Sequence, residues 1–248
     1  HIDLILKVQH MKRFILWVGV SVLSLACTIN SYAATLQVYP VTLGFCGKES
    51  AQAIYVRNTG SATIGAQIRV YAWKQQNNKD NLTETQDVMV SPPMTTIPVS
   101  RQQLIRVILA TPGSGDTEQA YRIIVDELPG ENNMADKDGV RFLLRYSIPV
   151  FVNCKDTQPV SSQLDVSIDR SVHPLMLKIK NNGTQHVKLS DVFIFSGKKS
   201  VAMSNGLLGY VLPHSEKEWP LPNGITTASS LSLNLNDNAK TQIINITP

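Results

Sequence analysis

The chain has 248 residues, of which 43% are hydrophobic, 17% charged and 6% aromatic, and its formal net charge is +4 at pH 7. The charge falls to +2 once the three cations and one acid of residues 1–33 are set aside, which is too little for a nucleic-acid-binding face. The low aromatic content also argues against a carbohydrate-binding sandwich, which would present clustered surface aromatics.

The first element is predicted to be an export signal. Met11 is followed by Lys12 and Arg13, then by the apolar run FILWVGVSVLSLACTI and the segment NSYAA. Charge, apolar run and small residues in this order are typical of a secretory signal peptide, and we predict cleavage after Ala33. A membrane anchor is the alternative, although the run is short for a span. Residues 1–33 are therefore assigned to upstream residues and a cleaved leader.

Short runs rich in Val, Ile, Tyr and Thr follow from residue 34, and helical periodicity is nearly absent. Seven runs are predicted as strands: TLQVYPVTL, AQAIYVRN, IGAQIRVYAW, DVMVSP, QLIRVIL, YRIIVDEL and VRFLLRYSIPVFV. The stretches between them contain residues that accept a positive φ or bond their own backbone. Seven strands in this length predict an immunoglobulin-like sandwich, here residues 34–155.

The strand pattern restarts after a polar segment that we predict as the boundary, residues 155–161. Seven further runs follow: QLDVSI, LMLKIKN, HVKLSDVFIFS, KSVAMS, LLGYVLP, SEKEWPL and TQIINI. Residues 161–248 are therefore predicted as a second β domain, and both domains have ordinary sizes. The predicted fold class is all-β.

Two cysteines remain after the predicted leader is removed. Cys46 and Cys154 would then be a lone pair in an oxidising compartment, where a disulfide is expected. A bridge would place the first strand beside the last strand of the first domain. A pair of free buried thiols is the alternative. A metal site is not expected, because zinc needs more ligands at closer spacing.

No catalytic motif occurs in the predicted mature chain. Its histidines, His173, His186 and His214, each stand alone, and the sequence has no G-x-S-x-G, H-E-x-x-H or glycine-rich phosphate loop. A triad that meets only in the fold stays open. The sequence favours a binding protein that is not an enzyme and needs no cofactor.

Two arginines stand in strand runs on either side of the loop 129–139. A hairpin symmetric about this loop places Arg122 and Arg145 nearly opposite each other. Like charges across a sheet repel, so the pair predicts an anion between them, with a carboxylate held by forked hydrogen bonds. The alternative is solvated ion pairs, with Arg145 bound to an acid on another strand. The acids available to Arg122 in that case are Asp126, Glu127 and Glu118.

An apolar row is predicted at the start of the last strand. Side chains alternate across a strand, so if Arg145 points to one face, then Val140, Phe142 and Leu144 point to the other. These three side chains either fill the sandwich core or stay open at an edge. An open apolar edge is expected where a partner strand adds, and it would allow the free chain to self-associate.

Four motifs in order resemble those of one family. SPPMTTIPVSRQQLIRVIL resembles its double-proline motif and the strand that follows, YRIIVDELP its F strand, RYSIPVFV its G strand, and LLGYVLPHSEKEWPL its second-domain signature. The family is that of the periplasmic pilus-assembly chaperones of the chaperone–usher pathway, the PapD-like superfamily. The resemblance covers essentially the whole mature chain, and RYSIPVFV looks most similar to the archaic branch.

The resemblance implies two immunoglobulin-like domains arranged in an L and a location in the periplasm. It implies that the chain binds pilin subunits in 1:1 complexes and lends its G strand, with Val140, Phe142 and Leu144, to a pilin that lacks one strand. An outer-membrane usher then receives the complex. Nucleic acid, small-molecule substrates and cofactors have no part in this mechanism.

The sequence departs from the better-known branch at the cationic pair that anchors the pilin's C-terminal carboxylate. The matching positions here are Leu36 and Pro149, and neither side chain binds a carboxylate. Arg122 and Arg145 are therefore the expected anchor. A secreted adhesin or structural pilus subunit is the alternative function, although such a subunit usually has one domain that lacks its final strand.

Overall fold

The computed structural model describes residues 36–113, 115–128, 142–155, 163–238 and 240–247, which lie in one compact unit, Thr35–Pro248. The described residues contain β-strands and no α-helix. No helix among them is therefore available to span a bilayer. Two sandwiches, each with its own core, follow one another along the chain, which confirms the predicted fold class. The predicted boundary falls mostly on residues 156–162, outside the described ranges.

The first sandwich has two sheets that enclose one apolar core. Its strands are β1 (Leu36–Tyr39), β2 (Leu43–Phe45), β3 (Ala51–Asn58), β4 (Ile64–Gln76), β5 (Lys79–Glu84), β6 (Val88–Ser91), β7 (Met94–Ile97), β8 (Gln102–Leu109), β9 (Gln119–Leu128) and β10 (Arg145–Val152). One sheet has the order β1-β3-β8-β6, and the other has the order β2-β10-β9-β4-β5 with β7 on β4. Alternating side chains such as Ile123 and Val125 on β9 fill the core between the sheets, as a period of two requires.

The second sandwich is built in the same way. Its strands are β11 (Leu164–Asp169), β12 (Met176–Asn181), β13 (Val187–Ser196), β14 (Lys199–Val211), β15 (Glu216–Pro220), β16 (Ser230–Leu235) and β17 (Gln242–Asn245). The sheets are β11-β12-β15 and β14-β13-β16-β17. The predicted runs KSVAMS and LLGYVLP form one strand, β14, instead of two. Strand β16 was not predicted, because serine and asparagine alternate with its three buried leucines and resemble a turn.

The first predicted run divides between the two sheets. Strand β1 pairs antiparallel with β3, whereas β2 pairs parallel with β10, at Leu43 opposite Val150. The predicted disulfide is present: Cys46, directly after β2, is bonded to Cys154, directly after β10, with their Cα atoms 4.4 Å apart. The bridge spans 108 residues, so loop closure alone should stabilise the fold by about 5 kcal/mol.

The last strand of the first sandwich is shorter than predicted. The run from residue 140 was expected to be a strand throughout, but β10 begins at Arg145. Its partner β9 is described as far as Leu128, and the described pairing of the two strands covers Arg145–Val152. At this end the Leu144 N–H donates to the Glu127 side chain at 3.3 Å instead of to a backbone carbonyl. Residues 140 and 141 lie outside the described ranges.

The predicted register between β9 and β10 is wrong. Arg122 lies opposite Pro149 and Arg145 opposite Asp126, a shift of four residues from the expected pairing of the two arginines. The prediction placed the hairpin symmetrically about a long loop, and a long loop does not fix a register. The apolar pattern fixes it instead, because Ile123 and Ile148 must face the same core.

Candidate functional site

The two arginines share one face of the six-stranded sheet although they are not neighbours. Asp126 and Arg122 have the same parity on β9, and Arg145 faces Asp126, so all three side chains lie on the face away from the first core. Four residues of β10 separate Arg145 from the position opposite Arg122, which is about 13 Å along the strand. The structure therefore places two separate cationic positions along β10, not one pair.

Arg122 lies on an aromatic platform. Its guanidinium carbon is 3.7 Å from the ring centroid of Trp73 and 5.4 Å from that of Tyr210, within the range of cation–π attraction. The side chain is half-buried, and this burial lowers the pKa of Arg122. Its one hydrogen bond within the described residues is long, from Nη1 to the Ser147 carbonyl at 3.5 Å. The ion pairs of the described ranges do not include Arg122.

Arg145 has an acidic partner. Its Nε donates to Asp126 Oδ1, while Arg69 Nη2 donates to the other oxygen of Asp126 at 2.5 Å. Partial burial raises the pKa of Asp126, but the hydrogen bonds from Arg145 and Arg69 outweigh it and hold the pKa below its ordinary value. The Arg145 side chain remains 66% exposed. The alternative prediction, that Arg145 pairs with an acid on another strand, is therefore correct. Among the ion pairs of the described ranges, none joins Arg122 to the acids considered for it from the sequence, Asp126, Glu127 and Glu118.

Within the described ranges, one edge of β10 is open over part of its length. Strand β9 pairs with β10 along Arg145–Val152, but β2 pairs with it only at residues 150–152. The Leu144 carbonyl bonds to β9, so by alternation the N–H and C=O groups of Arg145 and Ser147 point to the open side. Pro149 has the same orientation and no N–H to leave unpaired.

The predicted apolar row is only partly described. Val140 lies outside the described residues. Phe142 is 81% exposed, whereas Leu144 packs partly against the first core beside Tyr146. Leu143, on the opposite parity, is also exposed. The described residues thus present exposed apolar side chains directly before the open edge of β10.

The platform under Arg122 is supported from the second sandwich. The rings of Phe151 and His186 stack with centroids 3.5 Å apart, and Tyr210 meets Trp73 edge-on at 5.7 Å. The buried Glu118 accepts hydrogen bonds from the His186 backbone at 2.9 Å, and its Oε1 lies 2.8 Å from His186 Nδ1. These contacts fix the aromatic surface on which the guanidinium rests.

Sequence reasoning missed this aromatic support. Trp73 and Tyr210 are more than a hundred residues apart, and no local pattern joins them. The only sequence signal was that Tyr210 lies within the second-domain motif. The described residues also contain no cluster of three His, Cys, Asp or Glu side chains placed to hold a metal ion. This face presents the half-buried Arg122 guanidinium and the backbone groups of the open edge of β10.

Comparisons with known proteins agree with this geometry. Residues 35–158 match the family described as pili and flagellar-assembly chaperone, PapD N-terminal domain. Among solved structures, the chain is similar to the CsuC chaperone in its pre-assembly complex with the CsuE tip adhesion subunit, from the archaic chaperone–usher Csu pili of Acinetobacter baumannii. The identity is 28% over 86% of this chain and 98% of that chain, with a TM-score of 0.66.

Two more distant structures share the fold. The YadV chaperone is 16% identical over 86% of this chain and 98% of its own, with a TM-score of 0.61. The structure of the Salmonella enterica SafA pilin in complex with the SafB chaperone matches at 13% identity over 86% of this chain and 97% of that chain, with a TM-score of 0.61. A comparison with curated protein sequences finds no match.

Proposed function

The chain belongs to the family of pili and flagellar-assembly chaperones, and from this premise we propose that it binds pilin subunits in the periplasm and delivers them to an outer-membrane usher. The open edge of β10 pairs with a pilin that lacks one strand of its own sandwich, so that the chaperone completes the pilin's sheet. The protein binds and releases its client and catalyses no reaction. The comparisons do not favour the adhesin alternative.

The observation that carries this proposal is the position of the Arg122 guanidinium. It is half-buried, forms no ion pair among the described residues although the Asp80 carboxylate attracts it at longer range, and reaches across β10 to the Ser147 carbonyl, which points to the open edge. A buried cation without a partner is costly, and a carboxylate at the edge would satisfy it with charge-assisted hydrogen bonds. A client chain that ends there supplies that carboxylate.

The anchor also sets the direction of the client strand. Arg122 lies opposite Pro149, at the end of the open edge, whereas Arg145 lies at its beginning. A strand whose C-terminal carboxylate meets Arg122 therefore runs in the same direction as β10. In this arrangement Arg122 is the main anchor. Arg145, already bound to Asp126, adds positive charge where the client strand enters the edge.

Apolar side chains of the chaperone contribute the second part of the interface. Val140, Phe142 and Leu144 insert into the groove of the incomplete pilin and cover its core. The exposure of Phe142 supports this role. This residue is 81% exposed, and burying an exposed aromatic ring against a client is favourable. The partial burial of Leu144 makes it the boundary between the chaperone core and the client core.

Export to the periplasm is part of the proposal. The leader of residues 1–33 would direct the chain through the inner membrane, and the disulfide between Cys46 and Cys154 suits an oxidising compartment. An N-terminal sequence of the protein purified from periplasm tests this point. A start at Ala34 is expected, and retention of residues 1–33 would contradict it.

The function is tested by co-expression with the pilin subunits encoded beside the gene, followed by affinity purification of the chaperone. The unaltered chain should recover a pilin, and the double variant Arg122→Ala/Arg145→Ala should recover none while it keeps its circular dichroism spectrum. Arg106→Ala is the matched control, because Arg106 is an exposed arginine on the other sheet. Equal pilin recovery by the double variant and the control would contradict the anchor.

A further inference from the structure

Strand β2 occupies the same side of β10 as the open edge. It pairs with residues 150–152, and the open edge covers residues 145–149 of the same strand. A client strand on the open edge and β2 therefore lie end to end in one row. The open part measures about 16 Å at the rise of a β-strand.

We infer that β2, held by the disulfide between Cys46 and Cys154, is a positioning element that stops the client strand and makes the chaperone select chain ends over internal segments. This inference rests on the proposed function. The client runs parallel to β10 and so does β2, so the client's C-terminus meets the residues that lead into β2. A polypeptide that continued past Arg122 would have to displace β2.

The attachment of β2 is firm for so short a strand. Its two outer residues, Leu43 and Phe45, are 4% and 2% exposed in the first core. The Asn153 N–H donates to the Phe45 carbonyl at 3.0 Å, and the Gln52 side-chain amide donates to the Gly44 carbonyl. Side-chain burial, backbone pairing and a covalent bond thus act together on three residues.

The disulfide packs directly on β2. A Cβ atom at Gly44 would lie 3.0 Å from the sulfur of Cys46 and 3.1 Å from that of Cys154, so the bridge would crowd a side chain there. The segment before β2 is exposed in contrast, with Val41 at 67%. The fixed strand is therefore the barrier, and the exposed segment 40–42 is the surface that the client terminus meets.

Three synthetic peptides test the inference. Each has the same Val–Thr alternating segment, and they end in a free carboxylate, in an amide, or in a Gly-Ser-Gly tail with an amide. The two amides both lack a carboxylate for Arg122 and differ only in the tail. The ratio of their affinities therefore measures how strongly β2 disfavours a chain that continues beyond Arg122. For the unaltered chain we expect the tailed amide to bind at least about tenfold more weakly than the plain amide by fluorescence anisotropy.

Loosening β2 should remove this discrimination. In the Cys46→Ala/Cys154→Ala variant the two amides should bind within about threefold of each other. Gln52→Ala, which removes one hydrogen bond to β2 and keeps the disulfide, should give an intermediate ratio. Gln103→Ala is the control, because Gln103 lies on the other sheet, where its side-chain amide donates to the neighbouring Leu104 carbonyl at 2.9 Å. Its ratio should equal that of the unaltered chain.

The outcomes separate the stop from the anchor. A disulfide that only stabilises the fold would weaken both amides equally, and an unchanged ratio in the cysteine variant would overturn the inference. If that variant does not fold, an unchanged ratio in Gln52→Ala would overturn it. Equal binding of the two amides to the unaltered chain would show that β2 does not stop the client strand. That result would not contradict the proposed function. Failure of the free-carboxylate peptide to bind better than its amide would contradict the anchor itself.

Discussion

The two halves of β10 have the same neighbour on one side and opposite surroundings on the other. Residues 150–152 lie between β9 and β2, all of them almost completely buried, and end at a disulfide. Among the described strands, residues 145–149 pair only with β9, and Arg145 and Ser147 are exposed. One strand thus serves as core at its C-terminal end and as an open edge at its N-terminal end.

The difference teaches that the neighbouring strand, more than the residues of β10, decides which part can bind a partner. Ile148 and Val150 are both buried against the first core, yet only Val150 also has a strand on its second side. Natural sheets usually protect such edges, and the unprotected edge beside the Arg122 guanidinium is the reason for the proposed client site. Substitutions in the closed half should affect stability, and those at the open half should affect binding.

The largest effect is expected for Phe151→Ala in the closed half. Phe151 is 2% exposed and stacks on His186, so its removal leaves a cavity and should lower the free energy of unfolding by about 3–5 kcal/mol. Urea denaturation measures this loss. The matched control is Phe142→Ala, which should change stability by less than about 0.5 kcal/mol. Equal losses for the two variants would break the distinction between the halves.

Next in size is the difference between the two arginines. Arg122→Ala should weaken binding of a client with a free C-terminus by about 2–4 kcal/mol, because it removes a desolvated charge-assisted contact. Arg145→Ala should cost less than about 1 kcal/mol, because Arg145 is exposed and already paired with Asp126. Titration calorimetry with a purified pilin gives both values. A larger loss for Arg145 would reverse the proposed roles.

A charge in the apolar row should have a moderate effect on binding alone. Phe142→Asp should reduce client affinity by about 1–3 kcal/mol, since the ring can no longer be buried in the pilin groove. Ile243→Asp, at a position 70% exposed in the second sandwich, is the control and should leave the affinity unchanged. Undiminished pilin binding by Phe142→Asp would exclude Phe142 from the interface.

The smallest effect concerns the acid at the entrance to the open edge. The pKa of Asp126 is lowered in the folded chain, so its carboxylate contributes stability above the ordinary pKa of about 4. This contribution is lost as the pH falls through the lowered value. The free energies of unfolding of the unaltered chain and of Asp126→Asn should therefore differ at pH 6, by less than about 1 kcal/mol. The two free energies should converge at acid pH. A difference that stays constant with pH would show that the carboxylate charge is not responsible.

The sequence predicted the strands far better than their pairing. Alternating runs such as LQVY and YRIIVDEL were identified because a half-buried strand carries its period in its own residues. Strand β16 was missed because its polar residues are turn formers. The prediction that Arg122 and Arg145 lie opposite each other was wrong. The register of two strands depends on which side chains share a core, and the loop between the strands does not contain that information.

Local composition by itself determined that this protein is an all-β chain with two sandwiches and a bridge between Cys46 and Cys154, because strand periodicity and an isolated cysteine pair are properties of neighbouring residues and of chemistry. Only the tertiary structure decided that Arg122 lies on Trp73 and Tyr210 without an ion pair to a described residue, while Arg145 binds Asp126. Charge and burial at a site depend on residues that meet from distant parts of the chain. The open edge has the same origin, because β2 begins only opposite Val150 and no other described strand pairs with this side of β10 before that position.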